Sequence, residues 1–554
     1  DLTSITIEEF KKLRDGFEYE DDKGNRKVIH GLFNEVVFNA SIREFLETKK
    51  RLANYFDDSL QEDIFDYIPP QKTNQIFTPK RVVIKMVNTL EKENPGIFSD
   101  KTKKFADLYV KSGLYITEIV KKLNEGLKEQ IPNKQERIKW ILENQVYACA
   151  PNNIIYNIVR NFIYGDLGMQ VKENLKELDT LALARDKKMN MEVNKVFGDD
   201  KLKFDVIIGN PPYQENDNGK RDEEAGKNAS ASPVYDKFVL SSIEISDIQC
   251  FIIPTRWAFG AGKGLKYFTE TMLNDKHIQN FVYYQNSKDV FPDNDIKGGV
   301  SYFSRNIEHK GKANITINLE NGKIISRNDY LNTANSGKLI VYNELGSILK
   351  KVTEFENGFS SLMEVVSTLK PYGLRTDFFR NPQKYGISNT FNEKENANDI
   401  KVYGLGQGQK RIHKFILRNE NLTKGQDTID SWKVFSPYAY GNGSFGESIP
   451  NPFIGEPGDI VTETFLRFGD FDNRYEAESL LNYIKTKFFR ALVSALKVTQ
   501  HSTTTYQFVP LQNFTKESDI DWKKPISKID QQLYEKYKLN NKEIQFIEDN
   551  VKPM

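Results

Sequence analysis

The residues best equipped for chemistry are Asn210-Pro211-Pro212-Tyr213, which end the apolar run inside Phe204–Gln214 (FDVIIGNPPYQ). Proline has no N–H and a fixed φ, so the pair stiffens the turn and leaves the carbonyls of Asn210 and Pro211 free to face a ligand. An amide and a carbonyl are two acceptors for one amino group, and Tyr213 sets a flat π-face beside them. Together they can hold a planar base carrying an exocyclic amine. The same residues also read as a strand followed by a Pro-Pro loop, so the surrounding chain has to decide.

The elements that must position this turn follow from periodicity. Between Tyr67 and Asn306 apolar runs alternate with amphipathic stretches: Lys104–Tyr109 then Leu114–Leu127, Gln145–Ala150 then Ile154–Phe162, followed by Asp205–Ile208, Cys250–Pro254 and Val300–Arg305. Alternating strand and helix signals predict a parallel α/β sheet with crossover helices. In such a sheet ligands bind beyond the carboxyl ends of the strands, near the switch in strand order. Three further segments fall there. Asp107, Ser112 and Gly113 lead from a strand into the helix Leu114–Leu123, where a glycine lets backbone approach a ligand and an acid can pair with an ammonium. Thr78 and Pro79 open the amphipathic helix Val82–Leu90, Thr78 as its expected cap. Asp166 follows Tyr164-Gly165 and could accept a hydrogen bond from an adenine amine or begin a turn. Within the α/β region, Glu215–Ser232 is almost wholly polar and is expected to be a mobile loop.

The chain has 554 residues, beyond the roughly 250–300 at which one core stops growing, so at least two domains are expected. Polarity and spacing predict a helical lead-in over residues 1–66, with Phe38, Ile42, Phe45 and Leu52 on one face; an α/β domain over 67–310; and a mixed domain of short Tyr/Phe-rich segments over 311–554, closed by a helical tail from Ile529 to Asn550. Lys and Arg total 78 against 77 Asp and Glu, a net charge of +1, so a polyanion must be met by local basic patches. The two cysteines, Cys149 and Cys250, stand far apart with no CxxC or Cys/His cluster, which argues against zinc and disulfides and predicts a reducing, intracellular location. No stretch approaches about 18 uninterrupted apolar residues, so no membrane association is expected.

The order of a Thr-Pro-Lys segment, an Asp…Ser-Gly segment, a Gly-Asp segment, the Asn-Pro-Pro-Tyr turn and a large dissimilar C-terminal domain resembles the adenine-specific DNA methyltransferases of the gamma arrangement. It is most similar to those of type II and type I single-polypeptide restriction–modification systems, over most of the chain, with Phe251–Gly260, Gly298–Arg305, Gly373–Phe378 and Phe508–Pro510 as supporting segments. The resemblance implies a Rossmann-like core dependent on S-adenosylmethionine and a mixed α+β target-recognition domain. It implies that Asn210, Pro211, Pro212 and Tyr213 are catalytic on a flipped-out adenine of double-stranded DNA. It implies that Thr78, Pro79, Asp107, Ser112, Gly113 and Asp166 line the cofactor site, with no metal. A bacterial cytoplasmic location follows. The chain opens on Asp1 rather than Met, and an upstream helicase or nuclease segment or subunit is an implied partner. Two positions depart from the pattern: Leu108 and Lys111 stand where the family has Pro and a second Gly, and Pro151-Asn152-Asn153 stands where an acid normally holds the ribose hydroxyls.

In the C-terminal domain, Lys410, Arg411 and Lys414, and again Lys487 and Arg490, are basic groups interleaved with Phe415, Phe488 and Phe489, a composition suited to phosphate contacts; Arg375 could donate to a guanine edge. Gly260–Gly264 lacks the spacing and the Ser/Thr of a P-loop, and the acids around Phe291–Lys297 sit too close together for a nuclease set. Two other readings remain open: a protein glutamine methyltransferase, which also uses such a turn but is much shorter, and a non-catalytic DNA specificity module whose cofactor turn has degenerated.

Overall fold

The computed structural model describes residues 7–20, 24, 26–30, 36, 40, 43, 47, 76–164, 170–199, 201–213, 233–262, 264–355, 358–387, 391, 396, 399–406, 410–418, 422–441, 443–497 and 505–554. These fall into two compact units, Asp1–Tyr330 and Leu331–Met554.

The first unit opens with helix α1 (Ile7–Asp15) and an antiparallel hairpin of β1 (Gly16–Glu20) and β2 (Arg26–His30). The lead-in therefore contains a hairpin, which the expectation of a mainly helical segment did not include. β1 (GFEYE) alternates over only four residues and β2 (RKVIH) does not alternate, so neither stands out from helix spacing, and both are largely exposed. The expected apolar face at Phe38, Ile42, Phe45 and Leu52 lies outside the described residues, as do Asp166 and the polar segment Glu215–Ser232.

The core of this unit is a nine-stranded sheet. In chain order it is built from α2 (Lys80–Glu93), β3 (Phe105–Asp107), α3 (Leu114–Gly126), α4 (Lys134–Asn144), β4 (Val146–Ala150), α5 (Asn153–Tyr164), β5 (Leu175–Glu177), α6 (Thr180–Arg185), α7 (Met189–Phe197), β6 (Phe204–Gly209), α8 (Tyr235–Glu244), β7 (Ser246–Pro254), α9 (Lys266–Asn274), β8 (Ile278–Tyr284), β9 (Val300–Asn306), β10 (Ala313–Asn318) and β11 (Ile324–Asp329). The strand order is β11-β10-β8-β9-β7-β6-β3-β4-β5. The chain thus runs outward from β3 to β5, returns to place β6 on the other side of β3, and continues outward, making a doubly wound, Rossmann-like sheet whose switch point lies between β3 and β6. Phe105 and Ala106 pair in parallel with Val206 and Ile207 across that point. The sheet is mixed rather than wholly parallel: β9 is antiparallel to both β7 and β8, and β11 closes an edge hairpin on β10. Because β10 pairs in parallel with β8, the sheet extends to Asp329. The boundary read at residue 310 therefore moves to Tyr330, since a return hairpin carries no change in composition that a domain edge would.

Helix α2 buries Val82, Val83, Met86, Val87 and Leu90, one stripe of a 3.6-residue period, in the same core cluster as Ile116, Ile119, Val120 and Leu123 of α3. Each such side chain contributes about 1.5–3 kcal/mol when fully buried. This packing fixes the segments before both helices, Ile76–Pro79 and Ser112–Gly113, against the strand ends.

The second unit contains helix α10 (Asn343–Thr353), the sheet β13-β12-β16 formed by β12 (Asp399–Leu405), β13 (Arg411–Leu417) and β16 (Asp459–Val461), and the sheet β15-β14-β17 formed by β14 (Trp432–Pro437), β15 (Phe453–Gly455) and β17 (Phe465–Phe471). Helices α11 (Arg474–Lys485), α12 (Lys487–Ser494), α13 (Ile526–Lys536) and α14 (Asn541–Asn550) pack over an aromatic-rich core that includes Tyr483, Phe488, Phe489, Phe514 and Trp522. The expected single helical tail is two helices, broken where Lys538 takes a positive φ of 51°.

Candidate functional site

At the switch point the carboxyl ends of β3 and β6 bring Asp107 and Asn210 together. Thr78, Asp107, Tyr109, Lys111, Ser112, Tyr115 and Asn210 line one narrow cleft of about 10 Å³, room for about one water. Four of the residues expected to hold a cofactor or act on a base thus meet across more than 130 positions of sequence.

The Asn210 side chain is 4% exposed and its orientation is determined. Its Nδ2 donates to the Ile76 carbonyl at 2.9 Å and to Thr78 Oγ1 at 3.1 Å. A reversed amide would face its oxygen onto another carbonyl, so only this orientation is favourable. Both amide protons are used, and Oδ1 is left buried with no partner. A buried acceptor without a donor costs about 1–3 kcal/mol, which a ligand N–H would recover. Thr78 is the hub that holds it. Its Oγ1 also accepts from the Tyr115 hydroxyl at 3.1 Å. Thr78 was expected to cap the helix; instead Pro79 occupies the N-cap of α2 with no side-chain bond, and the threonine hydroxyl is committed to the asparagine.

Tyr213 is buried, its hydroxyl also lacks a partner, and burial holds that phenol well above the ordinary range. Asn210 lies near enough to oppose that shift slightly, yet neither polar atom reaches the other with hydrogen-bond geometry.

Asp107, 3% exposed, accepts a hydrogen bond from the Tyr109 backbone N–H at 3.1 Å. Burial pushes its carboxyl up to about 7, against the opposing pull of that N–H and of Lys111. Gly209 makes the arrangement possible: a Cβ there would lie 3.0 Å from Asp107 Oδ1. Lys111 is buried as well. Its Nζ donates to the Ile76 carbonyl at 3.0 Å and lies 5.9 Å from the centre of the Tyr213 ring. Burial pulls its amine down to about 7, with Asp107 acting in the other direction. Gly113, at φ 86°, is the left-handed N-cap of α3, and a Cβ would touch Val159 and Phe162 of α5. Ser112 Oγ accepts from Leu114 N at 3.4 Å. At the departure after β4, Asn152 accepts from Ile155 N and so serves as a cap for α5.

Among the described residues no group of His, Cys, Asp and Glu is arranged to hold a metal ion, and no helix is long and apolar enough to cross a membrane.

The cationic candidates of the second unit divide. Lys410, Arg411 and Arg375 are exposed and Lys414 is half-buried. Arg411 lies over the Phe453 ring at 4.2 Å and Lys414 over Phe391 at 4.7 Å, so aromatic faces hold both on β13. Arg490 corrects the reading of a second basic patch. It is 2% exposed, and its guanidinium donates to the carbonyls of Thr486, Lys552 and Lys485. Lys487 is paired with Glu548 at 2.6 Å, and Phe488 and Phe489 are core residues. These cations join α12 to the C-terminal segment and do not form a free phosphate-binding face.

Sequence reasoning missed Tyr115, Gly209 and the carbonyl of Ile76, and treated Lys111 only as a departure. Tyr115 offers no local signal, because its partner Thr78 is 37 residues away. Gly209 did carry one, since a glycine closing a buried strand marks a close approach.

Comparison with known proteins bears on the same region. The family model of the Eco57I restriction-modification methylase matches residues 144–291, which include the Asn210–Tyr213 turn. A protein of Mycoplasma pneumoniae named an uncharacterized adenine-specific methylase is 23% identical over 393 residues, 59% of this chain and 92% of that protein. Among solved structures, a nuclease-deletion mutant of the type ISP restriction-modification enzyme LlaGI with a DNA substrate mimic has a TM-score of 0.43 at 11% identity, covering 77% of this chain and 45% of its own. The type IIL enzyme MmeI with DNA has a TM-score of 0.47 at 9% identity, covering 88% and 80%. The chain spans less than half the length of the LlaGI chain.

Proposed function

We infer that this chain, an adenine-specific DNA methyltransferase of the restriction–modification kind, transfers a methyl group from S-adenosylmethionine to the exocyclic amine of an adenine flipped out of double-stranded DNA. The observation that carries this reading is the buried, unpartnered Oδ1 of Asn210, held at the sheet's switch point by an amide whose protons are both engaged. The residues present fit the cofactor's chemistry: a buried carboxyl at Asp107 suits a cationic ligand, and the left-handed Gly113 opens helix α3 toward the cleft. When bound, S-adenosylmethionine supplies an electrophilic sulfonium methyl.

An adenine amine is a poor nucleophile because its lone pair is delocalised into the ring. Asn210 Oδ1 and the Pro211 carbonyl would accept its two hydrogens and favour a pyramidal nitrogen whose lone pair is free to attack. Positioning and fixed dipoles then carry the catalysis, and no covalent enzyme intermediate is needed. The methylated nitrogen is strongly acidic and loses its proton to water, so no general base is required. Tyr213 would stack on the base, which must leave the duplex because its amine cannot be reached there. Arg411, Lys414 and Lys410 would contact phosphates, with Arg375 at a base edge, in a recognition unit that selects the site. A place in a restriction–modification or phage-defence system, with a helicase or nuclease segment or subunit as a partner, extends the same reading. Methyl incorporation into duplex DNA tests it: Asn210→Ala loses transfer while DNA binding persists, and an Asn210→Ala protein of full activity would sink the assignment.

A further inference from the structure

The Lys111 amine stands in the cleft where the adjoining groups are those a cationic ligand would seek. Its Nζ is held by the Ile76 carbonyl at 3.0 Å, over the Tyr213 ring at 5.9 Å, in the field of the Asp107 carboxyl. A carboxyl, a carbonyl and a ring face are together a receptor for an ammonium or a sulfonium. The cleft containing this side chain holds about 10 Å³, whereas sites for ligands of cofactor size run to roughly 300–1,000 Å³. Something lining it must leave for a donor to enter. Thr78, Asn210 and Tyr115 are interlocked by hydrogen bonds, and Asp107 is tied to the Tyr109 N–H. Lys111 has a flexible four-carbon stem and sits in the turn before the left-handed Gly113. Moving it leaves the Ile76 carbonyl still paired with Asn210.

We propose that Lys111 is an internal stopper: its terminal amine occupies the position that the cationic methyl donor claims, and donor binding swings it out of the cleft. The proposal rests on the methyl-transfer reading and names the residue that regulates entry to that site. It makes Lys111 a positioning residue whose effect falls on donor affinity. A stopper in place nine-tenths of the time raises the apparent Kd about tenfold.

Two measurements on the full chain test it. Lys111→Met keeps the stem and removes the charge; calorimetry should show it binding S-adenosylmethionine about tenfold more tightly than the native protein. In the native protein, saturation with sinefungin, which carries an ammonium in place of the sulfonium and has no methyl to transfer, should raise acylation of Lys111 severalfold, read by peptide mass spectrometry. This second readout needs no variant to fold. Acylation that stays level or falls at saturation overturns the proposal, as does equal or weaker binding by a folded Lys111→Met protein, because the lysine would then be a permanent strut or a donor contact. Failure of both compounds to bind either protein, with DNA present, overturns the methyl-transfer reading and the proposal with it.

Discussion

Thr78→Val removes one hydroxyl and keeps the side chain's shape, so it isolates the hub that orients Asn210. One Asn210 N–H loses its acceptor and the Tyr115 hydroxyl keeps only the weak Met86 Sδ at 3.5 Å, both inside the buried cleft. Leaving a buried donor unsatisfied costs about 1–3 kcal/mol, so the pair costs about 2–6 kcal/mol of stability. The lower half of that range is expected, because Asn210 keeps its bond to the Ile76 carbonyl. The larger effect should be on rate. Loss of one preorganised partner of a reacting group costs on the order of 100-fold, and an amide still tethered at one proton should lose at least about tenfold. The assay pairs methyl incorporation with thermal melting, and Thr78→Ser serves as the conservative rescue. Native rate in Thr78→Val, or an equal loss in Thr78→Ser, would refute the claim that this hydroxyl sets the amide.

Asn210→Ala should reduce methyl transfer by at least about 100-fold, with DNA affinity in an electrophoretic shift assay unchanged, since Oδ1 is the only unsatisfied acceptor of that side chain. Arg411→Ala and Lys414→Ala should each weaken DNA binding and reduce the slope of log K against log salt by about 1. Arg490→Ala should leave that slope unchanged and lower the melting temperature, because three backbone carbonyls lose a buried donor; a changed slope contradicts its structural role. The Asp107–Lys111 pair sets a pH dependence. The carboxyl titrates at 3.8 when unperturbed and at about 7 in the fold, so its contribution to stability falls as pH rises from about 4 to about 7. The amine moves from 10.5 to about 7, so its contribution falls as pH drops from 10.5 to about 7. Stability relative to the double variant Asp107→Asn, Lys111→Met should therefore be lowest near pH 7, and a melting-temperature difference that is flat from pH 5 to 9 contradicts this.

The core of the fold was legible because its signals are local. The strand ending at Asp107, the helix after it and the strand Phe204–Gly209 each declare themselves within about ten residues through apolar period and a Gly or Pro stop. The Asn210–Tyr213 turn was legible for the same reason. What was not legible depends on distant partners. The role of Thr78 is set by Asn210, 132 residues away, and no local pattern separates a capping threonine from one bonded across the sheet. Arg490 reads as a surface cation in KFFRALVS until the carbonyl of Lys552 covers it. The antiparallel β9 and the added hairpin β10–β11 arise from pairing register, which alternation alone does not encode.

The most direct test of the central claim is methylation of mixed-sequence duplex DNA by the native chain with S-adenosylmethionine, followed by single-molecule sequencing. Methyl groups confined to the exocyclic amine of adenine within one recurrent sequence, and absent with Asn210→Ala, are the predicted result. Unmodified DNA under conditions where the protein binds both duplex and cofactor would contradict it.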